Sequence, residues 1–247
     1  MATRNDSPAR GRVGRAAWAV LTGLVVESAI LGLSVLPAAL FWRWSFDWNL
    51  TLTWLRVVVL SMSLVPAYLL FAVALMLLSA GAMRLLGWRT PADAELVIAD
   101  MGWPLLRWVR YAASIHVTRV FAGTFLQATP LWTFYLRLNG ARMGRGVYVN
   151  SGTLSDHNLL EFGDGVVIGA GVHLAGHMVE GGVVKTGRVR LGRNVTIGVG
   201  AVVGIGVAVG DNTEVGALSM VPKHSALVAD AIYGGVPVRR LDRETRG

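Results

Sequence analysis

The stretch "LGRNVTIGVGAVVGIGVAVGDNTEVG", residues 191–216, decides the fold. An aliphatic residue followed by glycine recurs at Leu191, Ile197, Val203, Val209 and Val215, a strict six-residue beat. Such a period lets each flat rung of a solenoid point one side chain inward while small residues turn the corners, and stacked rungs bury one another. The register runs backward through Phe162, Ile168 and Leu174, each followed by a small residue, and more loosely to Val149 and Met143. It predicts a solenoid over residues 141–221, leaving 222–247 as a C-terminal tail. Between Leu174 and Leu191 the beat fails, so "AGHMVEGGVVKTGRV" reads as an excursion, with its loop over 175–188. Loops leaving a rigid scaffold are where chemistry tends to be placed.

The N-terminal half has no such beat. The 247-residue chain is 53% hydrophobic and 15% charged, too apolar for an ordinary soluble protein. Residues 1–15 read as a disordered basic arm. Residues 16–41 are apolar apart from Glu27, too long for the core of a signal peptide and without a convincing cleavage site, so they read as an anchor. A second uncharged run lies between Arg56 and Arg84, long enough as a helix to cross a bilayer core. Trp42, Trp44, Trp48 and Trp54 gather between the two runs, as tryptophan does at headgroup level. A transmembrane hairpin over 16–90 is the expectation. Arginines before the first run and after the second place both termini, and the repeat domain, on the cytoplasmic side of the cytoplasmic membrane. Residues 91–140 mix Trp, Phe and Arg at helical spacing and read as interfacial or platform helices. The fold class is therefore α + β: two N-terminal spans followed by a parallel β-helix. Glu27 is either a functional carboxylate inside the span or one satisfied in the bundle.

There is no cysteine, which excludes disulfides, thiolate metal sites and a cysteine nucleophile. The net charge of +8 rests on arginine, since only Lys185 and Lys223 are lysines. Anionic lipid and an acidic substrate or cofactor are the partners this charge fits. No basic helix with base-reading residues and no aromatic ribonucleoprotein motif is present, so nucleic acid is not expected.

"GDGVVIGAGVHLAGH" with the repeats after it and the closing "YGGVPVRR" resembles the hexapeptide-repeat acyltransferases. "FAGTF…LRLNGARMG…SDHNLLEFGDGVVIG…GHMVEGGVVKTGRVRLG…GALSMV", over roughly residues 119–241, is similar to the C-terminal membrane region of poly-lysine-synthetase-type peptide synthetases. The resemblance implies a left-handed parallel β-helix, a homotrimer, and a thioester donor (acyl-CoA or a carrier-protein phosphopantetheine, supplied in trans) bound in grooves between coils, with no tightly bound cofactor. It also implies a catalytic histidine after the G-D-x-V-x-I-G stretch. The family's closing G-x-P-A stands here as Gly235, Val236, Pro237 and Val238, and the spacing from Gly163 to His177 is shorter than in sugar acetyltransferases. Both departures bear on the acceptor pocket.

Acyl transfer to an amine or hydroxyl needs a base that takes the acceptor's proton, and a neutral imidazole suits that task. His177, where a regular rung exits into the excursion, is the candidate base. Asp156 or Glu180 could hold its other ring nitrogen. Lys185, Arg188, Arg190 and Arg193 could meet donor phosphates. Three plainer readings compete: Asp156 as a corner cap, the basic residues as a solvated face, and a non-catalytic membrane-anchored scaffold. His157 is expected to be exposed, and Asp164 and Asp211 to serve turns. No metal is expected, although convergence of His157, His173 and His177 would make a zinc site.

Overall fold

In a computed structural model the described residues are 7–46 and 52–241. The apolar runs form α1 (Ser7–Phe46) and α2 (Thr53–Leu85), of 40 and 33 residues. Both are long and apolar enough to cross a membrane. They pair along their length, with the Trp42 indole N–H donating to Ser63 at 3.0 Å. Their outward faces carry Leu24, Val25, Met62 and Val65, each more than half exposed. Because α1 starts at Ser7, residues 7–15 are helical rather than a disordered arm: a run with no internal proline after Pro8 simply extends the helix it precedes. Residues 1–6 and the Trp48 part of the connection lie outside the described residues.

A platform follows. Residues Glu95–Val97 form a short strand. Next come α3 (Trp103–Thr118), a π-helical turn over Arg119–Gly123, α4 (Thr124–Leu126) and α5 (Pro130–Leu138). Gly102 precedes α3 and Pro104 stands in its first turn; Pro130 opens α5, where Thr129 caps by accepting from the Trp132 N–H.

The remaining chain is a parallel β-helix with three walls. One wall stacks Tyr148–Val149, Val167–Ile168, Thr196–Ile197, Glu214–Val215 and Ile232–Gly234. A second stacks His173–Leu174, Val202–Val203 and Met220–Val221. The third stacks Arg142–Met143, Leu160–Phe162, Val189–Leu191, Ala208–Val209 and Ala226–Leu227. Residues one coil apart are 18 positions apart in the regular part, as along the ladder Asn194–Asn212–Asp230, whose side chains bond at 3.0 and 2.9 Å. Inward positions such as Ile168, Leu174, Ile197 and Val203 are buried. Close stacking is why glycine follows them: a Cβ on Gly198 would sit 2.5 Å from the Ala217 nitrogen of the next coil. Stacking continues to Gly234, past the expected end at 221, because Ala226–Leu227 and Ile232–Gly234 keep the same parallel pairing.

Helices and solenoid share one core. Ala72, Met76 and Ala80 of α2 and Trp132, Tyr135 and Leu136 of α5 are continuous with Val149, Ile168 and the inward residues above them. The Trp132 N–H donates to the Ser151 carbonyl at 3.0 Å.

Candidate active site

The eighteen-residue register breaks twice, and the breaks meet. Arg142 and Glu161, neighbours in the first two coils, are 19 positions apart, so one residue too many enters that coil. It is absorbed at a corner where Asp156 adopts a left-handed φ of 51° and His157–Leu159 form a single 3-10 turn. Glu161 and Arg190, neighbours in the next pair, are 29 apart. That larger excess is the excursion, which is a β-hairpin rather than a loop: His177–Glu180 pairs antiparallel with Val183–Thr186. Gly181 and Gly182, both at positive φ, make its turn. Val183–Thr186 also pairs with Glu95–Val97, and Leu96, Leu105 and Val184 bury against one another, so the hairpin is pinned to the platform.

His177 is the first residue of the hairpin, and its Nδ1 lies 2.5 Å from Asp156 Oδ2. A carboxylate accepts, so Nδ1 carries the proton and Nε2 is left with its lone pair. The Asp156 side chain is 1% exposed, that of His177 29%. Burial alone would push the Asp156 carboxyl up. It is held below the usual carboxylate value by the hydrogen bond and charge of His177 and by the Thr90 and Ser155 hydroxyls. Thr90 donates to Oδ1 at 2.6 Å, the Trp108 indole N–H to Oδ1 at 3.1 Å, and Ser155 to Oδ2 at 2.8 Å. His177 is raised above 6.5 by its bond to Asp156, against the opposing effect of burial. The Trp108 ring stands edge-on to the imidazole at 5.0 Å, which fixes the ring plane. Gly176 makes the approach possible, since a Cβ there would lie 2.8 Å from the Asp156 Cβ.

Thr90, Trp108, Ser155 and Gly176 are the parts that sequence reasoning missed. Thr90 and Trp108 lie 66 and 48 positions from Asp156, and only the docking of the platform on the solenoid unites them.

The other expected residues fall elsewhere. Glu180 points away from His177 and accepts from Lys223 at 2.8 Å and Lys185 at 3.2 Å: three residues along a strand change face, so it cannot share His177's partner. Asp156, weighed as a corner cap, is instead the partner of the imidazole. Lys185, Arg188, Arg190 and Arg193 do not form one cluster. Arg188 and Arg190 bond Glu161 at 2.9 and 3.2 Å, and Arg193 bonds Asp211 at 2.7 Å. Asp164 and Asp211 accept from the backbone N–H groups of Arg145 and Arg193, as turn residues do. His157 is fully buried, not exposed. It sits edge-on to Trp132 and Tyr135, bonds the Leu154 carbonyl at 3.1 Å, and is pushed down to about 4 by burial. His173 is exposed on an outward strand position, so the three histidines do not converge, and no group of three metal-ligating side chains occurs among the described residues.

Two cavities flank the pair. One of about 610 Å³ is lined by Arg89, Thr90, Arg107, Arg142, Asn158 and Arg188. The other, about 750 Å³ and apolar, lies between α1, α3 and the hairpin, with Leu24, Leu105, Trp108, Val179 and Val184 in its wall and Glu27 at its side.

No family model matches the chain. Delta-poly-L-ornithine synthetase of Acinetobacter baumannii (strain AB307-0294) is 25% identical over 113 residues, 46% of this chain and 8% of that protein's length. Similar solved structures include a galactoside acetyltransferase in complex with coenzyme A (23% identity, 45% of this chain and 69% of that one, TM-score 0.37). A hexapeptide-repeat containing acetyltransferase from Vibrio cholerae follows at 17% identity, 52% and 91% coverage and TM-score 0.38. Serine acetyltransferase from Brucella abortus strain S19 is 20% identical over 70% of this chain and 56% of that one, TM-score 0.35. These relatives are of the kinds that the repeat and the spaced motifs resemble.

Proposed function

We propose that this chain is a membrane-anchored acyltransferase that moves an acyl or aminoacyl group from a pantetheine thioester to an amine or hydroxyl. The observation that carries this reading is the His177–Asp156 pair, whose carboxylate is buried and fully engaged while His177 Nε2 has no hydrogen-bond partner among the described residues. In the reaction Nε2 takes the proton from the acceptor N–H or O–H as that atom attacks the thioester carbonyl. Asp156 holds the tautomer and stabilises the imidazolium, and when the tetrahedral intermediate collapses the proton passes to the departing thiolate sulfur. A carbon–nitrogen or carbon–oxygen bond forms, a carbon–sulfur bond breaks, and no net charge is created.

The donor is acyl-CoA or a carrier-held phosphopantetheine thioester. The likeness to delta-poly-L-ornithine synthetase makes an aminoacyl thioester with an amine acceptor the first pair to test. Of the four basic residues expected at donor phosphates, Arg188 alone lines a cavity next to the Asp156 corner. The two long apolar helices support anchoring in the cytoplasmic membrane, and the flanking arginines support a cytoplasmic repeat domain. Tyr148, Val167, Val202 and Met220, outward strand positions that are each more than a third exposed, support side-by-side packing as a homotrimer.

The test is thiol release and product mass from membranes given a panel of acyl-CoA and aminoacyl-pantetheine donors with amine and hydroxyl acceptors. Wild type should release thiol with stoichiometric product, and His177→Ala should lose ~10²- to 10⁴-fold in rate. Equal turnover by the variant would end the proposal.

A further inference from the structure

The apolar cavity of about 750 Å³ takes no part in the base chemistry, yet its shape has a direction. Small residues cut its floor: Ala16, Ala19 and Gly23 share one face of α1, and Ala113 lies across from them on α3. Along α1 the wall runs from Ala16 to Leu31, about 22 Å at the helical rise. One leaflet with its headgroups, half of a bilayer of roughly 40–45 Å, has the same depth. Arg15, just before this run, donates to the Asp100 and Met101 carbonyls at 3.1 and 3.2 Å, as an arginine does where a spanning helix leaves the hydrocarbon. The surface between is almost wholly apolar. Glu27 stands in the wall with both carboxylate oxygens buried, and the Arg110 guanidinium is taken by the Ala19 carbonyl at 3.0 Å and the Thr22 hydroxyl at 2.6 Å. Val20 and Leu24, on the outward side of α1, border the groove and leave it open along that side. Its other end meets the catalytic pair. Trp108 walls the groove and also stands 5.0 Å from the His177 ring. Val179, 58% exposed in the same wall, projects from the same face of the hairpin strand as His177, two residues away.

We propose that this groove holds a hydrocarbon chain of a membrane lipid whose headgroup supplies the accepting amine or hydroxyl, an assignment that rests on the anchored acyltransferase reading above. The headgroup N–H or O–H gives its proton to His177 Nε2 as its nitrogen or oxygen attacks the thioester carbonyl; the carbon–sulfur bond breaks and the proton leaves on the thiol. The open side of the groove favours the acceptor over the donor as occupant. A leaflet lipid enters sideways from the bilayer without leaving hydrocarbon, whereas the donor carries its large polar pantetheine on the very carbon that must reach His177 and arrives from water. A chain gains little by moving from bilayer to groove, since both are apolar. What the groove contributes is orientation, holding the headgroup beside the base in place of a random encounter.

The experiment uses the full chain in nanodiscs of phosphatidylcholine, which has neither nucleophile. Phosphatidylethanolamine or phosphatidylglycerol with a diazirine in one acyl chain is added, and crosslinked peptides are mapped by mass; the two probes separate an amine from a hydroxyl acceptor. At least one probe should label the peptides holding Trp108 and Val179 saturably and be displaced by unlabelled lipid of the same headgroup. Met62 and Val65, on the outward face of α2, should be labelled only in proportion to the probe, as bulk lipid labels. Ala113→Trp, which fills the groove from an exposed position, should cut the saturable labelling about tenfold. Val179→Lys, also at an exposed position, should do the same and reads the groove should the tryptophan variant not fold, while Val65→Trp should label as wild type does. With a donor that releases thiol, the ratio of transfer to the lipid over transfer to free ethanolamine or glycerol should fall by the same factor in the groove variants. Labelling that never saturates, or that both groove variants leave unchanged, would overturn the proposal, and transfer to soluble acceptors would then still uphold the acyltransferase reading. A rate to glycerol that climbs with the donor's acyl-chain length would also overturn it, by putting the donor's chain in the groove. Saturable labelling with no acyl group moved to any acceptor, lipid or soluble, would sink the acyltransferase reading and the acceptor role with it.

Discussion

Replacing Asp156 by Asn tests the paired imidazole without disturbing its surroundings. Asparagine has the same shape and tolerates the left-handed φ of 51° found there. Its carbonyl can still accept from the Thr90 hydroxyl or the Trp108 N–H, but its NH₂ cannot accept from His177 Nδ1. Three influences act on the His177 ring: the Asp156 hydrogen bond and the Asp156 charge raise it, and burial lowers it. The substitution removes both raising influences and leaves burial alone. The titration should therefore cross the unperturbed value of 6.5, from above it in the wild type to below it in the variant. Carbethoxylation of His177 by diethylpyrocarbonate, followed by peptide mass against pH, reads this without knowledge of the substrate, because only the neutral ring reacts. In turnover, loss of the tautomer lock should cost ~10²- to 10⁴-fold in kcat. The low-pH limb of the rate profile should also move to lower pH, since the base is neutral over a wider range. If the modification midpoint stayed above 6.5, or moved upward, the assignment of Asp156 as the partner that sets the ring would be refuted.

Three further outcomes follow from the same geometry. His157 titrates at about 4 in the fold and 6.5 when free, so the unfolded chain binds more protons between these values; stability should fall by about 3 kcal/mol on acidification through that window, at ~1.4 kcal/mol per unit, in denaturant melts. His177, being raised, contributes stability that is complete below 6.5 and lost only as pH rises past its folded value, so it does not offset this loss. Gly176→Ala should cost ~1–3 kcal/mol and most of the activity, because its Cβ would meet the Asp156 Cβ at 2.8 Å and the Leu159 Cβ at 3.0 Å; a thermal melt unchanged by the substitution would contradict the close approach. A single cysteine introduced at position 200 should be protected from an impermeant maleimide in intact cells, and efficient labelling would reverse the proposed orientation.

The solenoid was legible because its signal is local: each inward aliphatic is flanked by its own small residue, and stacking needs only that beat to repeat. The excursion was legible as silence in the beat, and His177 as its first polar residue. The single extra residue at the Asp156 corner left the beat between Val149 and Phe162 only loose, which is why His157 read as exposed although the 3-10 turn folds it under Trp132 and Tyr135. Glu180 looked equivalent to Asp156 until the hairpin showed which face each side chain takes. The basic quartet was read by type alone, and its pairing with Glu161 and Asp211 across neighbouring coils is a property of stacking, not of spacing within one coil.

A stack of coils is in principle a template for polymerisation, since each end offers a row of backbone groups to the next copy. Here each end is partly covered. At the first coil the Ala128 N–H donates to the Val149 carbonyl, and α5 lies over the core. At the last, Arg239–Leu241 turns back antiparallel on Ile232–Gly234, while the Met220 N–H and carbonyl bond Gly235 and Val238. This cover works against head-to-tail growth into fibres and favours assembly of this chain flank to flank, where a closed ring of fixed size is the natural end point.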